Sequence, residues 1–433
     1  MNPHGGASRS RSEPVSGRRH ELDWLRALII LGLIPFHAVG IFTAVTASYL
    51  ETTAASPIVD ALVELINIWG TPLLFLVAGA SAWFALSVRS GGMYLRERVT
   101  RLLIPFAFAT LVIIPFQVYF GLLTQPNLLN LRLVPISDPH LLDSFARFYP
   151  QYLGGYFYFL THFAPPLKII FWGHLWFIPR LLILAVVSLP LFLALRAPSG
   201  RPVLARLTRL IARPGAIVLL GIVPAVSEVL FEPSSINPFH IGWNASDELA
   251  QTIFALLFFV FGFVLYSDAH CVETVKRQGI AILLLGIVVW GLSQALFDGG
   301  KDIPAAQFAP DRVIALMMRG LIAWLWAIGL LGLGIRFFSF TNRLLAYLSE
   351  ASYPLYVIHL PILIMLNSVV IHWDAGIPVK LAVLIAGTFA GALALYELLI
   401  KRTRVTRFVF GMRLQREGKP SVPLEQPRAG IPA

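Results

Sequence analysis

Ten apolar runs, each long enough or nearly long enough to cross a lipid bilayer, recur along the chain and leave it little choice of fold. They fall at about residues 23–48, 58–88, 102–123, 171–195, 215–231, 250–266, 280–296, 313–336, 353–371 and 381–400. A hydrocarbon core of about 30 Å needs about 20 residues of helix, and backbone inside it must satisfy its own hydrogen bonds. The runs are therefore predicted to be helices. With 57% hydrophobic and only 13% charged residues, the chain has too little polar surface for a water-soluble domain of its size. The fold class is read as all-α, a polytopic membrane bundle of about ten transmembrane helices.

The net charge of +11 raises nucleic acid as a partner, but the 34 Lys and Arg residues are not gathered into one solvated module. Instead 25 of them lie in the N-terminal tail, every second loop and the C-terminal tail, against 6 in the other loops. By the positive-inside rule both termini are expected to be cytoplasmic, which requires an even number of spans. The expected partner is the bilayer of the inner (cytoplasmic) membrane, crossed many times, and not nucleic acid. Residues 1–20 and 413–433, polar and low in aromatic residues, are expected to be disordered cytoplasmic tails around a transmembrane domain at 21–412. Cys271 is the only cysteine, which excludes intramolecular disulfides and cysteine metal clusters, and no metal site is expected.

Polar side chains inside apolar runs are costly, so each needs a partner or a task. In "LDWLRALIILGLIPFHAVGIF", Arg26 and His37 are eleven residues apart, on one helix face and about 16 Å apart along the axis. Asp23, three residues before Arg26, is placed to pair with it. His37 is expected towards mid-membrane. Two readings are open: Arg26 as a topology anchor with His37 bonding a neighbouring helix, or both as parts of a site.

In "LSEASYPLYVIHLPI", Glu350, Tyr353, Tyr356 and His359 recur at intervals of three and drift slowly around one side of a helix. His359 then reaches a depth similar to His37, and two such histidines can frame a buried polar cavity or serve as packing contacts. "YLRERVTRLLIP" crowds Arg96, Arg98 and Arg101 at a helix start, with Arg98 and Arg101 as i,i+3 neighbours able to grip phosphate or anionic lipid. "FWGHLWFIPRLL" places Trp172 and Trp176 as an interfacial belt with Arg180 one turn deeper. The segment 124–170 mixes aromatic and polar residues, which suits a sugar-binding surface or an amphipathic interfacial helix. No G-x-S-x-G elbow, Walker loop, dinucleotide fingerprint or H-E-x-x-H helix occurs, so chemistry belongs to the membrane residues.

Five segments in order resemble the acyltransferase-3 family of integral membrane acyltransferases. They are the Arg-x10-His helix at Arg26 and His37, "PLLFLVAGA" at Pro72 to Ala80, the Arg98 and Arg101 pair, "HLWFI" at His174 to Ile178, and "EASYPLYVIHLP" at Glu350 to Pro361. Within that family "LDWLRALIILGLIPFH" and "LYELLIKRTRVTRFVFGM" are similar to the branch of glucan biosynthesis protein C, while "IHLP" stands where that branch tends to a double histidine before proline. The resemblance implies transfer of an acyl group from cytoplasmic acyl-CoA, with acetyl-CoA or succinyl-CoA as donor substrate, to a hydroxyl of a periplasmic or cell-envelope glycan. It implies catalytic roles for His37, Arg26, Asp23 and His359, donor binding by Arg98, Arg101, Glu350 and Tyr353, and acceptor binding by His174, Trp176 and Arg180. A neutral imidazole at His37 suits a general base, and a covalent acyl-imidazole is the other route. The competing classes are a structural membrane partner and a transporter or flippase of an envelope glycan or lipid-linked precursor. The transporter would use Glu64, Arg180, Arg319 and His359 as a substrate or proton path.

Overall fold

The computed structural model describes residues 19–43, 56–124, 140–162, 173–231, 245–297 and 309–412. Trp172, both outer parts of the 124–170 segment and nearly all of the two tails lie outside these residues. Eight helices are long and apolar enough to span singly: α1 (His20–Gly40), α2 (Pro57–Val88), α3 (Gly91–Thr124), α9 (Ala245–Leu265), α10 (Ala269–Phe297), α11 (Pro310–Phe337), α12 (Arg343–Val370) and α13 (Ile377–Ile400). Two bent pairs raise the number to ten if each is one span: α5 (Gly173–Val187) with α6 (Leu189–Arg196), and α7 (Arg201–Ile211) with α8 (Ala216–Phe231). Two short helices, α4 (Phe145–His162) and α14 (Arg404–Val409), complete the described chain, which is a helical bundle with no strand among the described residues.

The bends have local causes. Between α5 and α6, bent by 43°, Pro190 lacks the N–H that would continue the ladder, and Ser188 donates its hydroxyl to Leu184 O at 2.6 Å. Between α7 and α8 the chain turns 105° through Pro214 and Gly215, whose φ of +74° suits glycine. The run expected as one straight span at 215–231 is thus only the second arm of a bent pair. The first arm is an amphipathic helix that buries Leu204 and Ile211 while exposing Arg201 and Arg209.

Lipid offers no hydrophobic drive between helices, so close packing must come from small residues. A methyl group on Gly79 would lie 1.8 Å from Phe259 O, and one on Gly262 would lie 1.9 Å from Leu76 O. Backbone therefore meets backbone where α2 crosses α9. Gly279 and Gly332 bring α10 and α11 equally close, each methyl position falling within 2.7 Å of the other glycine.

Helix α3 carries two π turns, Val99–Leu103 and Ala109–Ile113, shortly before Pro105 and Pro115. Pro115 cannot donate to Leu111 O in α geometry or to Thr110 O in π geometry, so both carbonyls need other donors. Tyr149 and Tyr152 of α4 supply them, with hydroxyl bonds of 3.2 Å to Leu111 O and 2.9 Å to Thr110 O. Phe145 stacks on Phe116 at 4.5 Å and Phe148 is fully buried. The aromatic face of the 124–170 segment is thus spent, in its described part, on packing against α3. This agrees with the amphipathic-helix reading and leaves those rings unavailable as a sugar surface.

Candidate active site

Helices α1 and α12 pack side by side and parallel. Near their starts Trp24 donates its indole N–H to Phe340 O at 3.1 Å, and further along the rings of His37 and His359 lie 5.5 Å apart. Each histidine is about 25 Å from the start of its helix by rise per residue, which is why sequence spacing anticipates their common depth. His37 lies one turn from Gly40, so the pair sits nearer the end of α1 than its middle. A third histidine joins from the opposite end of the bundle. His174, in the 3-10 turn Gly173–Trp176 that opens α5, has its ring 5.0 Å from that of His359.

Main-chain carbonyls fix these rings. His359 Nδ1 lies 2.7 Å from Tyr356 O and 3.2 Å from Leu355 O, both acceptors, so Nδ1 carries the proton and Nε2 the lone pair. That Nε2 makes no hydrogen bond among the described residues, although His359 is only 1% exposed. His174 Nε2 lies 3.0 Å from Tyr356 O and 3.2 Å from Val357 O and is likewise a donor, while its Nδ1 is 3.0 Å from the Gln117 side-chain amide. The Tyr356 hydroxyl donates to His174 O at 2.5 Å. Pro361 explains why one of these carbonyls, Val357 O, is available. It lacks the N–H that would otherwise serve Val357 O, and an imidazole from another helix takes that place.

Asp23 and Arg26 pair at 3.4 Å as their spacing predicts, and Arg26 also donates to Ser81 Oγ at 3.0 Å on α2. Ser81 in turn donates to Val77 O, so Arg26 is held against α2 about 16 Å short of His37. Along α12 the Tyr353 and Tyr356 rings are 6.5 Å apart and those of Tyr356 and His359 6.1 Å, a polar line leading to the histidines.

At the basic end Arg98 and Arg101 do not act as the expected matched pair. The π turn beginning at Val99 changes the residues per turn, and the two side chains take separate partners. Arg98 lies over the Tyr94 ring at 5.1 Å, whereas Arg101 pairs with Glu97 at 3.2 Å. Glu350 accepts from Arg407 at 2.6 Å, and Tyr353 has a buried hydroxyl with no hydrogen bond among the described residues. Gly411 closes this region: a methyl group on it would lie 2.8 Å from Arg101 O and 3.4 Å from the Tyr353 ring. Arg407, Gly411 and Tyr94 are members that the sequence reading missed. Arg407 and Gly411 come from the C-terminal segment, and Tyr94 lies one turn before Arg98 on the same helix.

Trp176 and Arg180 go elsewhere, to a cavity of about 70 Å³ also lined by Asn67, Ser227, Gln251 and Arg319. The Arg180 guanidinium lies 4.8 Å over the Trp176 ring and donates to Glu248 Oε2 at 2.7 Å and to Gln251 Oε1 at 3.1 Å. Arg319 donates to Glu228 at 2.9 Å. A smaller cavity of about 20 Å³, lined by Glu64, Trp290, Ser293 and Gln294, adjoins the first at Arg319 and Ile68. His174, grouped with Trp176 and Arg180 by the sequence, is instead part of the histidine cluster. Among the described residues no three His, Cys, Asp or Glu side chains are placed to hold a metal ion.

The histidine cluster offers an open nitrogen at a buried position, Arg98, Arg101, Glu350 and Tyr353 lie at the basic end, and the paired arginines line a polar cavity near the other end. A family profile described as an acyltransferase domain matches residues 19–397, a span containing the three histidines, both cavities, Arg98, Arg101, Glu350 and Tyr353. No curated protein and no solved structure matches the chain. Because the profile covers most of its 433 residues, this multi-pass membrane protein belongs to the acyltransferase-3 family.

Proposed function

We propose that the protein transfers an acetyl or succinyl group from cytoplasmic acyl-CoA to a hydroxyl of a periplasmic or cell-envelope glycan, with both termini on the cytoplasmic side of the inner membrane. The observation that carries this reading is the bare Nε2 of His359 beside His37, held in one tautomer by Tyr356 O. A buried atom left without a hydrogen bond costs about 1–3 kcal/mol, and a reacting hydroxyl would satisfy it.

In the transfer step the acceptor hydroxyl gives its proton to an imidazole nitrogen of the His37 and His359 pair, and its oxygen attacks the thioester carbonyl. The carbon–sulfur bond then breaks, and the CoA thiolate takes the proton back as the ester leaves. General-base assistance of this kind is worth about 10²–10⁴ in rate. The CoA phosphates are too polar for the bilayer core and would stay near Arg98 and Arg101, with Glu350 and Tyr353 beside them. The slender pantetheine arm would follow Tyr353 and Tyr356 inward, past Arg26, whose pairing with Asp23 orders the entrance. The likeness to the glucan biosynthesis branch favours a glucan as acceptor.

A transporter or flippase is the second reading, favoured by the two buried ion pairs around Arg319 and Arg180. The deciding experiment incubates purified protein in nanodiscs with acetyl-CoA or succinyl-CoA and a glucan acceptor, measuring free thiol and acylated product. Thiol release matched by acyl ester on the glucan is the expected result. Intact thioester, with glucan crossing proteoliposomes, would establish the transporter instead.

A further inference from the structure

Every group around Arg319 lies near the ends of its helices that face away from the basic loops. Arg180 is in the second turn of α5, Glu228 is one turn before the end of α8, Gln251 is near the start of α9, and Arg319 is in the third turn of α11. The 3-10 turn Gly173–Trp176 joins this region to the histidines, since His174 belongs to the cluster and Trp176 to the cavity wall.

We propose that the two cavities joined at Arg319 anchor the acceptor, and that this subsite selects uncharged hydroxyl-bearing rings over acidic ones. The inference rests on the acyl-transfer reading and names the acceptor class for it.

Two features point to a ligand of this chemistry. First, the walls hold polar atoms that make no hydrogen bond among the described residues: Ser227 Oγ and Asn67 Nδ2 in the larger cavity and Trp290 Nε1 in the smaller. Ser227 is only 7% exposed, and lipid cannot satisfy such groups. Ring hydroxyls, which both donate and accept, can serve all three. Second, each guanidinium already has a carboxylate partner, and Glu64 adds a third carboxylate in the wall of the smaller cavity. Arg180 has Glu248 and Arg319 has Glu228, so an acidic ligand must compete with a buried carboxylate for its guanidinium, whereas a hydroxyl can use the remaining lone pairs and N–H groups without adding charge. The rest of the glycan would extend outward, with another hydroxyl presented to the histidine side of the Gly173–Trp176 turn.

The test measures binding of maltotetraose, and of a tetrasaccharide of the same length containing glucuronic acid, to the full chain in nanodiscs by calorimetry without acyl-CoA. The wild-type protein should favour the neutral sugar at least tenfold. Ser227→Ala combined with Asn67→Leu should weaken maltotetraose at least tenfold, and Ser227→Ala alone, which removes an atom with no partner, should leave the fold intact while weakening it measurably. Glu228→Gln, which leaves Arg319 positive, should shift preference towards the acidic sugar. Equal affinity for the two sugars, or unchanged affinity in both Ser227 variants, overturns the subsite. Saccharide binding without any acyl transfer would sustain the subsite while removing the transferase reading. Transfer that ignores Ser227 and Asn67 would do the opposite.

Discussion

At the histidine cluster the rings of His174 and His359 are held by main-chain carbonyls, whereas around Arg319 charged side chains are held by one another. The first arrangement depends on Pro361, which exposes Val357 O, and it leaves His359 Nε2 open. The second closes Arg319 against Glu228 and Arg180 against Glu248. Removing one imidazole from the first costs reactivity and little stability. Removing one charge from the second strands its partner in a medium that cannot solvate it. The same bundle thus holds one region where polarity is kept available for chemistry and one where it is mutually neutralised.

The largest expected effect is on turnover. His37→Ala and His359→Ala should each lower acyl transfer by about 10²–10⁴ while the protein still inserts, as product formation by equal amounts of purified protein would show. Glu228→Ala should do the reverse in kind, lowering stability by about 3–5 kcal/mol in detergent unfolding, because Arg319 is left buried and unmatched. If both histidine variants unfolded as easily as Glu228→Ala, the contrast between the regions would collapse.

Pro361→Ala tests the link between backbone and base. It returns an N–H to Val357 O and deprives His174 of one acceptor, so activity should fall about tenfold with a stability change near 1 kcal/mol. Activity equal to wild type would mean that the proline does not set the cluster. The smallest effect belongs outside both regions. Tyr149→Phe, which uncaps Leu111 O on α3, should cost about 1 kcal/mol in thermal unfolding and leave turnover unchanged.

Much of the bundle was legible because apolar length alone nearly determines a membrane span. Asp23 and Arg26 were legible at i,i+3, and the meeting of His37 with His359 followed from helix rise once the loop charges made their two helices parallel. His174 was misplaced because its position depends on a 3-10 turn at Gly173, whose φ of +48° no apolar pattern announces. The partners Glu248 and Glu228 lie 68 and 91 residues from their arginines, and pairing across such separations has no local signal. Arg98 and Arg101 take different partners, Tyr94 and Glu97. The period changed from α to π between them, and a reading at 3.6 residues per turn cannot register that.

The central claim is that acyl transfer takes place where α1, α12 and the start of α5 meet. It is tested most directly with a non-hydrolysable thioether analogue of acyl-CoA bearing a photoreactive diazirine on its acyl end, activated while bound to the protein in nanodiscs. The labelled residues are then mapped by mass spectrometry. Labels should fall within one helical turn of His37, His174 or His359 and be displaced by excess acyl-CoA. Displaceable labels confined to α2, α9 and α11 around Arg319 would contradict the account.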